Sequence, residues 1–377
     1  MAAGQSGNQV RSVSLFVVAQ NEEPYLSHLL ADIKAQDFLH QALEVLLIDS
    51  CSEDGTRQLM LDFAASERDF WRVQVLDNPG RYLPQGCNIA LAAASGDVLV
   101  RIDAHARIPS DFVSRCVEVL EEGHEAVGGP RPTIATEPSA FNDLLQAAEE
   151  SAFGASAAGY RRSSAATGKG HAHATGTGTG AATGTATGTA AGAGTGAAAK
   201  SRGRAVNSLF HGAYRRHVFD VVGNYDERLL RTEDNDMSQR IQTAGFELWM
   251  DDRIYSEQYL RPSLGGLLRQ KSGNAFWIGR TLWLKPRAIR LTNLVPLVFV
   301  LAIIAGLVLG FCLSWWPLIA LAIVYAALAL AIGQAKFWQT KPKNPWLIWL
   351  PALFCGLHLC YGAATLWGIV WGAFRRN

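Results

Sequence analysis

Several things are scarce in this chain. Its 377 residues hold six cysteines, none in a CxxC pair or at metal-finger spacing. That argues against a disulfide framework or a structural zinc site and predicts reduced thiols. Neither sign of charge dominates: the formal net charge is +1, which gives no electrostatic reason to expect nucleic acid as a partner. The opening stretch MAAGQSGNQVRS (residues 1–12, a tail) has no apolar run, so no signal peptide is expected. Between residues 291 and 374 charge almost disappears, whereas the preceding residues are mixed and charged.

What fills the uncharged part is Leu, Ala, Ile, Val and Trp. Residues 294–313, LVPLVFVLAIIAGLVLGFCL, carry no charge and would reach about 30 Å as a helix, the thickness of a bilayer core. Further apolar runs at 315–333 and 347–373 bring the predicted transmembrane helices to three, the last interrupted by Pro351. Basic residues precede the first span (Arg269, Lys271, Arg280, Lys285, Arg287, Arg290) and follow the second (Lys336, Lys341, Lys343), which predicts cytoplasmic loops. Arg375 and Arg376 conflict with three plain crossings: either the last segment re-enters at Pro351 or the charge rule is broken. The expectation is a multi-pass protein of the inner (cytoplasmic) membrane with its catalytic domain in the cytoplasm. Within 263–290, Ser263–Leu284 reads as an amphipathic helix with Leu264, Leu268, Ala275, Ile278 and Leu282 on one face. With Trp277 and Trp283 it suits the headgroup plane, an ordinary surface helix being the other reading.

Residues 13–262 alternate apolar strands and helices. SVSLFVV, LEVLLID, RVQVLDN and DVLVRID are strands, and the first is followed by a helix with Leu26, Leu29, Leu30 and Ile33 on one stripe. Such strands predict an α/β domain with a mostly parallel, Rossmann-like sheet covered on both faces. Ligands bind at the carboxyl ends of strands in these sheets, which sets Asn21, Glu22, Asp49, Asn78 and Asp103 along one rim. Taken singly, each reads equally as a loop residue or a cap, as Asp49-Ser50 before EDGT does. Their recurrence at successive strand ends favours a site.

The segments FVVAQNEE, LLIDSCSEDGT, GCNIALAAASGD, RIDAHARIPSDFV, HGAYRRHVFDVVGNYDE and RTEDNDMSQRIQTAGFELW occur in an order and spacing that resembles family 2 glycosyltransferases of GT-A fold. With the membrane tail and the Asp-Ala-His form, the chain looks like bacterial membrane-anchored exopolysaccharide glucosyltransferases of the succinoglycan type. The resemblance implies that Ala19, Asn21, Glu22 and Asp49 hold uridine, and that Asp103 and His105 are a metal pair for Mg²⁺ or Mn²⁺. His105 would bind either the metal or the diphosphate. Asp234 would be the general base of an inverting transfer, with Glu233 and Asp236 as alternatives; acids at a helix start also favour the dipole. Asn78, Asn88, Asp103, Arg215 and Gln270 complete the expected nucleotide-sugar set. Arg215 and Arg216 either pair with phosphate or solvate a helix face. Gln270 lacks the Arg-Trp that follows it in polymer-extending relatives, which favours addition of a single sugar.

Residues 163–200 are a Gly/Ala/Thr tract that cannot bury a core and predict a flexible insert; His171 and His173 have no companion ligands there. The expected function is transfer of a hexose, glucose above all, from a UDP-sugar to a polyprenyl-diphosphate-linked saccharide in cell-surface polysaccharide synthesis. Membrane lipid and polysaccharide-assembly proteins are the further partners. The alternative is a polyprenyl-phosphate sugar synthase, and a transporter or scaffold with a degenerate nucleotide-sugar domain is the reading from another class.

Overall fold

The computed structural model describes residues 9–135, 139–151, 153–154, 203–260, 263–340 and 343–374. The expectations for the 163–200 insert, His171, His173, Lys341, Arg375 and Arg376 lie outside the described residues. The first strands are Val13–Ala19 (β1), Leu43–Asp49 (β2), Arg72–Asp77 (β3) and Val98–Asp103 (β4), separated by helices Glu23–Lys34 (α1), Thr56–Ser66 (α2) and Leu83–Ala93 (α3). Side chains alternate across the sheet. Leu15, Val17, Val45 and Leu47 enter one core, while Phe16, Leu46 and Ile48 enter another on the opposite face. Two apolar faces require cover on both sides, and this is why β1 and β2 read as continuous apolar runs.

The chain continues through Ala106–Arg107 (β5), Phe112–Glu121 (α4), Ala126–Gly128 (β6), Thr133–Ile134 (β7) and Ala140–Glu150 (α5). It resumes with Gly203–Val206 (β8), Gly212–Arg215 (β9), Arg216–Val222 (α6), Glu233–Thr243 (α7), Leu248–Asp251 (β10) and Glu257–Tyr259 (β11). The large sheet has the order β3-β2-β1-β4-β9-β6-β10-β8. All its strands run one way except β9, which lies antiparallel between β4 and β6, and the edge strand β8. This is the mostly parallel sheet expected. A second sheet, β5-β11-β7, closes over the end of β4.

Leu264–Leu284 (α8) begins at a Ser263 cap whose hydroxyl accepts from the Gly266 amide at 3.0 Å. Val295–Cys312 (α9), Trp316–Gln339 (α10) and Leu350–Phe374 (α11) follow. Three helical segments, Leu291–Cys312, Trp316–Gln339 and Pro345–Phe374, are long and apolar enough to cross a membrane. α9 and α10 form a hairpin in which Phe299 stacks on Tyr325 and Gly306 abuts Leu318. α11 meets this hairpin at Pro296, Tyr325 and Gly333, then runs along α8. A Cβ on Gly279 would stand 2.1 Å from Thr365 O, and one on Gly368 would stand 2.0 Å from Phe276 O. Only glycine lets the two backbones come this near. The buried face of α8 therefore keeps Ala275 and Ile278 of the expected stripe and otherwise differs from it. Leu267, Lys271, Ala275, Ile278 and Gly279 are buried, while Leu264 is exposed, because α8 packs on α11 rather than presenting one apolar stripe to lipid.

Candidate active site

The carboxyl ends of β1, β2 and β4 make a continuous rim. Among the described residues, the non-glycine positions with left-handed backbone are Asn21, Cys51 and Arg81, in the loops after β1, β2 and β3. Strained conformations gather where loops are held for a purpose. Asn21 Oδ1 accepts from the Glu53 amide at 2.8 Å, and the Asn21 amide donates to Ser52 Oγ at 3.1 Å. The Glu22 amide donates to Thr56 Oγ1 at 2.8 Å. Ala19 O accepts from the Ser50 amide at 2.9 Å, and Asp49 Oδ1 from the Ser52 amide at 3.3 Å. Asn78 is buried and donates to Ser50 Oγ and Tyr82 O, each at 2.9 Å. These five residues thus knit three adjacent strand ends into one shelf.

Asp103 closes β4, and its environment is cationic. Arg101, two residues earlier on the same face, brings Nη2 to 3.6 Å from Asp103 Oδ1 and 3.9 Å from Glu233 Oε1, and Nη1 pairs with Asp234 Oδ1. One buried guanidinium therefore spans the strand-end acid and both acids at the start of α7. Burial alone would raise the Asp103 carboxyl, but Arg101 and the flanking histidines hold it below its ordinary value. Glu233 behaves oppositely: burial, with the Asp234 charge beside it, pushes it up to about 8 against the pull of Arg101. Burial raises Asp234 too, with Arg101 opposing. Asp234 is the more open of the two, 29% exposed against 4% for Glu233. It lines a polar cavity of about 310 Å³ that continues to α8 and the turns before α9.

His105 lies in the turn from β4 to β5. Its Nδ1 stands 3.2 Å from Glu22 Oε1, and its Nε2 2.6 Å from the Gln258 amide nitrogen. A different imidazole faces Asp103. His211, buried just before β9, has Nδ1 2.9 Å from Ser256 Oγ and Nε2 3.9 Å from Asp103 Oδ2. That Nε2 is buried without a hydrogen-bond partner, and burial pushes the ring down to about 3, so it is neutral near pH 7. With Nδ1–H donating to Ser256, Nε2 offers a lone pair toward Asp103. Among the described residues no three His, Cys, Asp or Glu side chains enclose a metal on their own. Asp103 and the His211 nitrogen nevertheless have the donor types that suit a divalent cation.

Other expected residues are not brought here. Arg215 pairs in register with Val98, at the start of β4, so it sits at the opposite end of the sheet from Asp103. Its Nη2 donates to Leu120 O at 3.0 Å. Arg216 likewise donates to Gly96 O at 2.8 Å. Arg215 thus ties β9 to α4 and Arg216 ties the start of α6 to the turn before β4, both at the end of the strands away from the rim. Asn88 spends its amide on the segment before α7: it donates to Tyr225 O and Glu227 Oε1 and accepts from the Tyr225 amide at 2.8 Å. Asp236 is fully buried between Arg240 at 2.9 Å and Lys285 at 3.1 Å, which removes it as an alternative base. Gln270 is on α8 one turn before Asn274, a residue of the cavity wall. Arg101 and His211 escaped sequence reasoning. The available signal was an arginine inside an apolar strand, which must find acids to be buried at all.

The sequence model of glycosyl transferase family 2 matches residues 14–183, a range that ends before His211 and Asp234. The succinoglycan biosynthesis protein ExoA of Rhizobium meliloti is 26% identical over 365 residues, covering 95% of this chain and 96% of that protein. The undecaprenyl-phosphate 4-deoxy-4-formamido-L-arabinose transferase of Aeromonas hydrophila is 33% identical over 127 residues, 33% of this chain and 39% of that protein. Among solved structures, a mannosyltransferase of Pyrobaculum calidifontis in complex with GDP-Man and Mn²⁺ superposes with a TM-score of 0.58 at 18% identity. The match covers 97% of this chain and 89% of that one, and it shows a shared fold.

Proposed function

We propose that this chain, whose residues 14–183 match glycosyl transferase family 2 and whose length aligns with ExoA, is a glycosyltransferase of that family that transfers a hexose from a UDP-sugar, with inversion, to a saccharide carried on polyprenyl diphosphate. The observation that carries this reading is the Asp103–Arg101–Asp234 chain, which sets the rim of the strand ends beside an acid that opens into a cavity facing the membrane helices. The donor lies on the shelf formed by Ala19, Asn21, Glu22, Asp49 and Asn78. Asp103, with His211 or His105, would hold a divalent cation that offsets charge developing on the leaving diphosphate. The acceptor hydroxyl enters from the cavity, its oxygen bonds to the anomeric carbon as the bond to UDP breaks, and Asp234 takes the proton. No covalent intermediate is needed, so one base suffices. Glu233, protonated near neutral pH, adds no second negative charge beside it.

An exopolysaccharide role is supported by the full-length likeness to ExoA, and a lipid acceptor by the joining of the cavity to the membrane segments. Cytoplasmic access to nucleotide sugar fits the basic residues flanking α9 and α10. α11 crosses the mouth of that hairpin and lies along α8, which supports a final segment that does not traverse the bilayer as α9 and α10 do.

The relative named for transfer involving undecaprenyl phosphate favours a second reading, sugar transfer to a lipid phosphate. That nucleophile is already an anion and needs no base. Membranes carrying Asp234→Asn and incubated with labelled UDP-sugars separate the two. Loss of label from the lipid fraction by about a thousandfold or more, with UDP binding retained, supports the hydroxyl acceptor. Retained transfer overturns it.

A further inference from the structure

The cavity beside Asp234 carries an unbalanced charge that the transfer chemistry does not use. Its lining includes Arg231, Arg287 and Arg290 together with Asn274 of α8 and Tyr361 of α11. Arg231 Nη1 donates to Asn274 Oδ1 at 3.1 Å, and Arg290 Nη2 donates to Asn207 O at 2.8 Å, both neutral acceptors. The acids that flank Arg231 are committed elsewhere. Asp226 faces Arg228 and Lys285, Glu233 and Asp234 face Arg101, and Asp236 faces Arg240 and Lys285. Glu227 accepts from Asn88 Nδ2 at 2.9 Å, and no carboxylate side chain occurs after Glu257. Among the described residues, then, three guanidiniums line one cavity with no carboxylate in ion-pair range.

Their position narrows the anion that would balance them. Arg287 and Arg290 stand in the short turns immediately before α9 begins at Val295, the level at which an apolar helix leaves the headgroup layer. Guanidinium is the side chain best matched to phosphate oxygens, two donors at a time. The remaining wall is rich in amides, Asn207, Asn235, Asn274 and Asn293, which suit hydroxyl groups rather than hydrocarbon. Phosphate at the membrane edge with hydroxyls toward Asp234 describes a phosphorylated lipid that carries a sugar.

We propose that Arg231, Arg287 and Arg290 form an anion site for the phosphate groups of a lipid-linked acceptor, holding it at the bilayer surface with its sugar directed to Asp234. The assignment rests on the lipid-acceptor reading above, and its test separates the two. Purified full-length protein in detergent, saturated with UDP and Mn²⁺, is titrated with farnesyl diphosphate; inorganic pyrophosphate and phosphatidylglycerol vesicles serve as competitors. Farnesyl diphosphate is expected to bind with UDP present and to resist displacement by the vesicles. The double variant Arg287→Gln/Arg290→Gln should weaken it by about tenfold to a hundredfold, while Arg287→Lys/Arg290→Lys, which keeps the charge but not the paired donors, should lose less. Unchanged UDP affinity shows that both variants are folded. Equal binding by the Gln variant, displacement by UDP, or equal displacement by phosphatidylglycerol overturns the proposal; the last assigns the arginines to bulk phospholipid. Displacement by pyrophosphate supports recognition through the phosphates. Label transfer to the lipid fraction is followed in parallel: probe binding without such transfer supports the anion site and overturns the lipid acceptor.

Discussion

The two halves of this molecule treat charge in opposite ways. Around β4 and α7, acids crowd a buried cation: Asp103, Glu233 and Asp234 all face Arg101. Beyond Glu257 no acid remains, and arginines at the membrane edge face amides and solvent. An enclosed acid cluster must contain its own counter-charge, because an isolated buried charge is too costly to keep. An open cationic mouth can wait for a ligand, because water screens it meanwhile. The same residue type is therefore structural in one half and a binding group in the other.

The largest effect should come from breaking the enclosed half. Arg101→Gln strips the counter-charge from three acids, and the unfolding free energy should fall by about 3–5 kcal/mol in denaturant titrations. Arg290→Gln, in the acid-free half, should cost no more than about 1 kcal/mol, the worth of its hydrogen bond to Asn207 O. Equal losses would erase the contrast. Next, His211→Ala should weaken Mn²⁺ binding in the presence of UDP by about tenfold to a hundredfold, as read by calorimetry. An unchanged affinity would return the metal to Asp103 and His105.

A smaller cost is expected at the join between the halves. Gly368→Val puts a side chain where its Cβ would stand 2.0 Å from Phe276 O, and stability should drop by about 1–3 kcal/mol. The smallest effect is one of pH. Glu233, raised to about 8 from 4.5, binds its proton more tightly folded than unfolded. Its contribution to stability is complete below about pH 4.5 and is lost as pH climbs through 8. Glu233→Gln should flatten the fall in melting temperature between pH 6 and 8.5, and an unaltered slope would assign that fall to other groups.

Much of this was legible in the residues themselves. β1, β2 and β4 announce themselves as apolar runs because both of their faces are covered. Asp49, Asp103 and Asp234 stand out as acids at the ends or starts of such elements. The other half of the sheet was not legible: β6, β8, β9 and β10 are three or four residues each, too short for periodicity to register. That is why Arg215, expected in the nucleotide-sugar set just before a helix, turns out to end a strand at the opposite end of the sheet from Asp103. His211 and Arg101 were hidden for a related reason. Each gains its meaning from partners more than a hundred residues away, Asp103 for one and Asp234 for the other.

The glycine crossing of α8 and α11 has one more consequence. Asn274 and Ile278 of α8 and Tyr361 of α11 stand in the same cavity wall as Asp234. That cavity is thus a joint product, assembled only when the end of the chain folds back onto its middle. A polypeptide severed before α11 would lack Tyr361 and with it one wall of the cavity proposed to receive the acceptor.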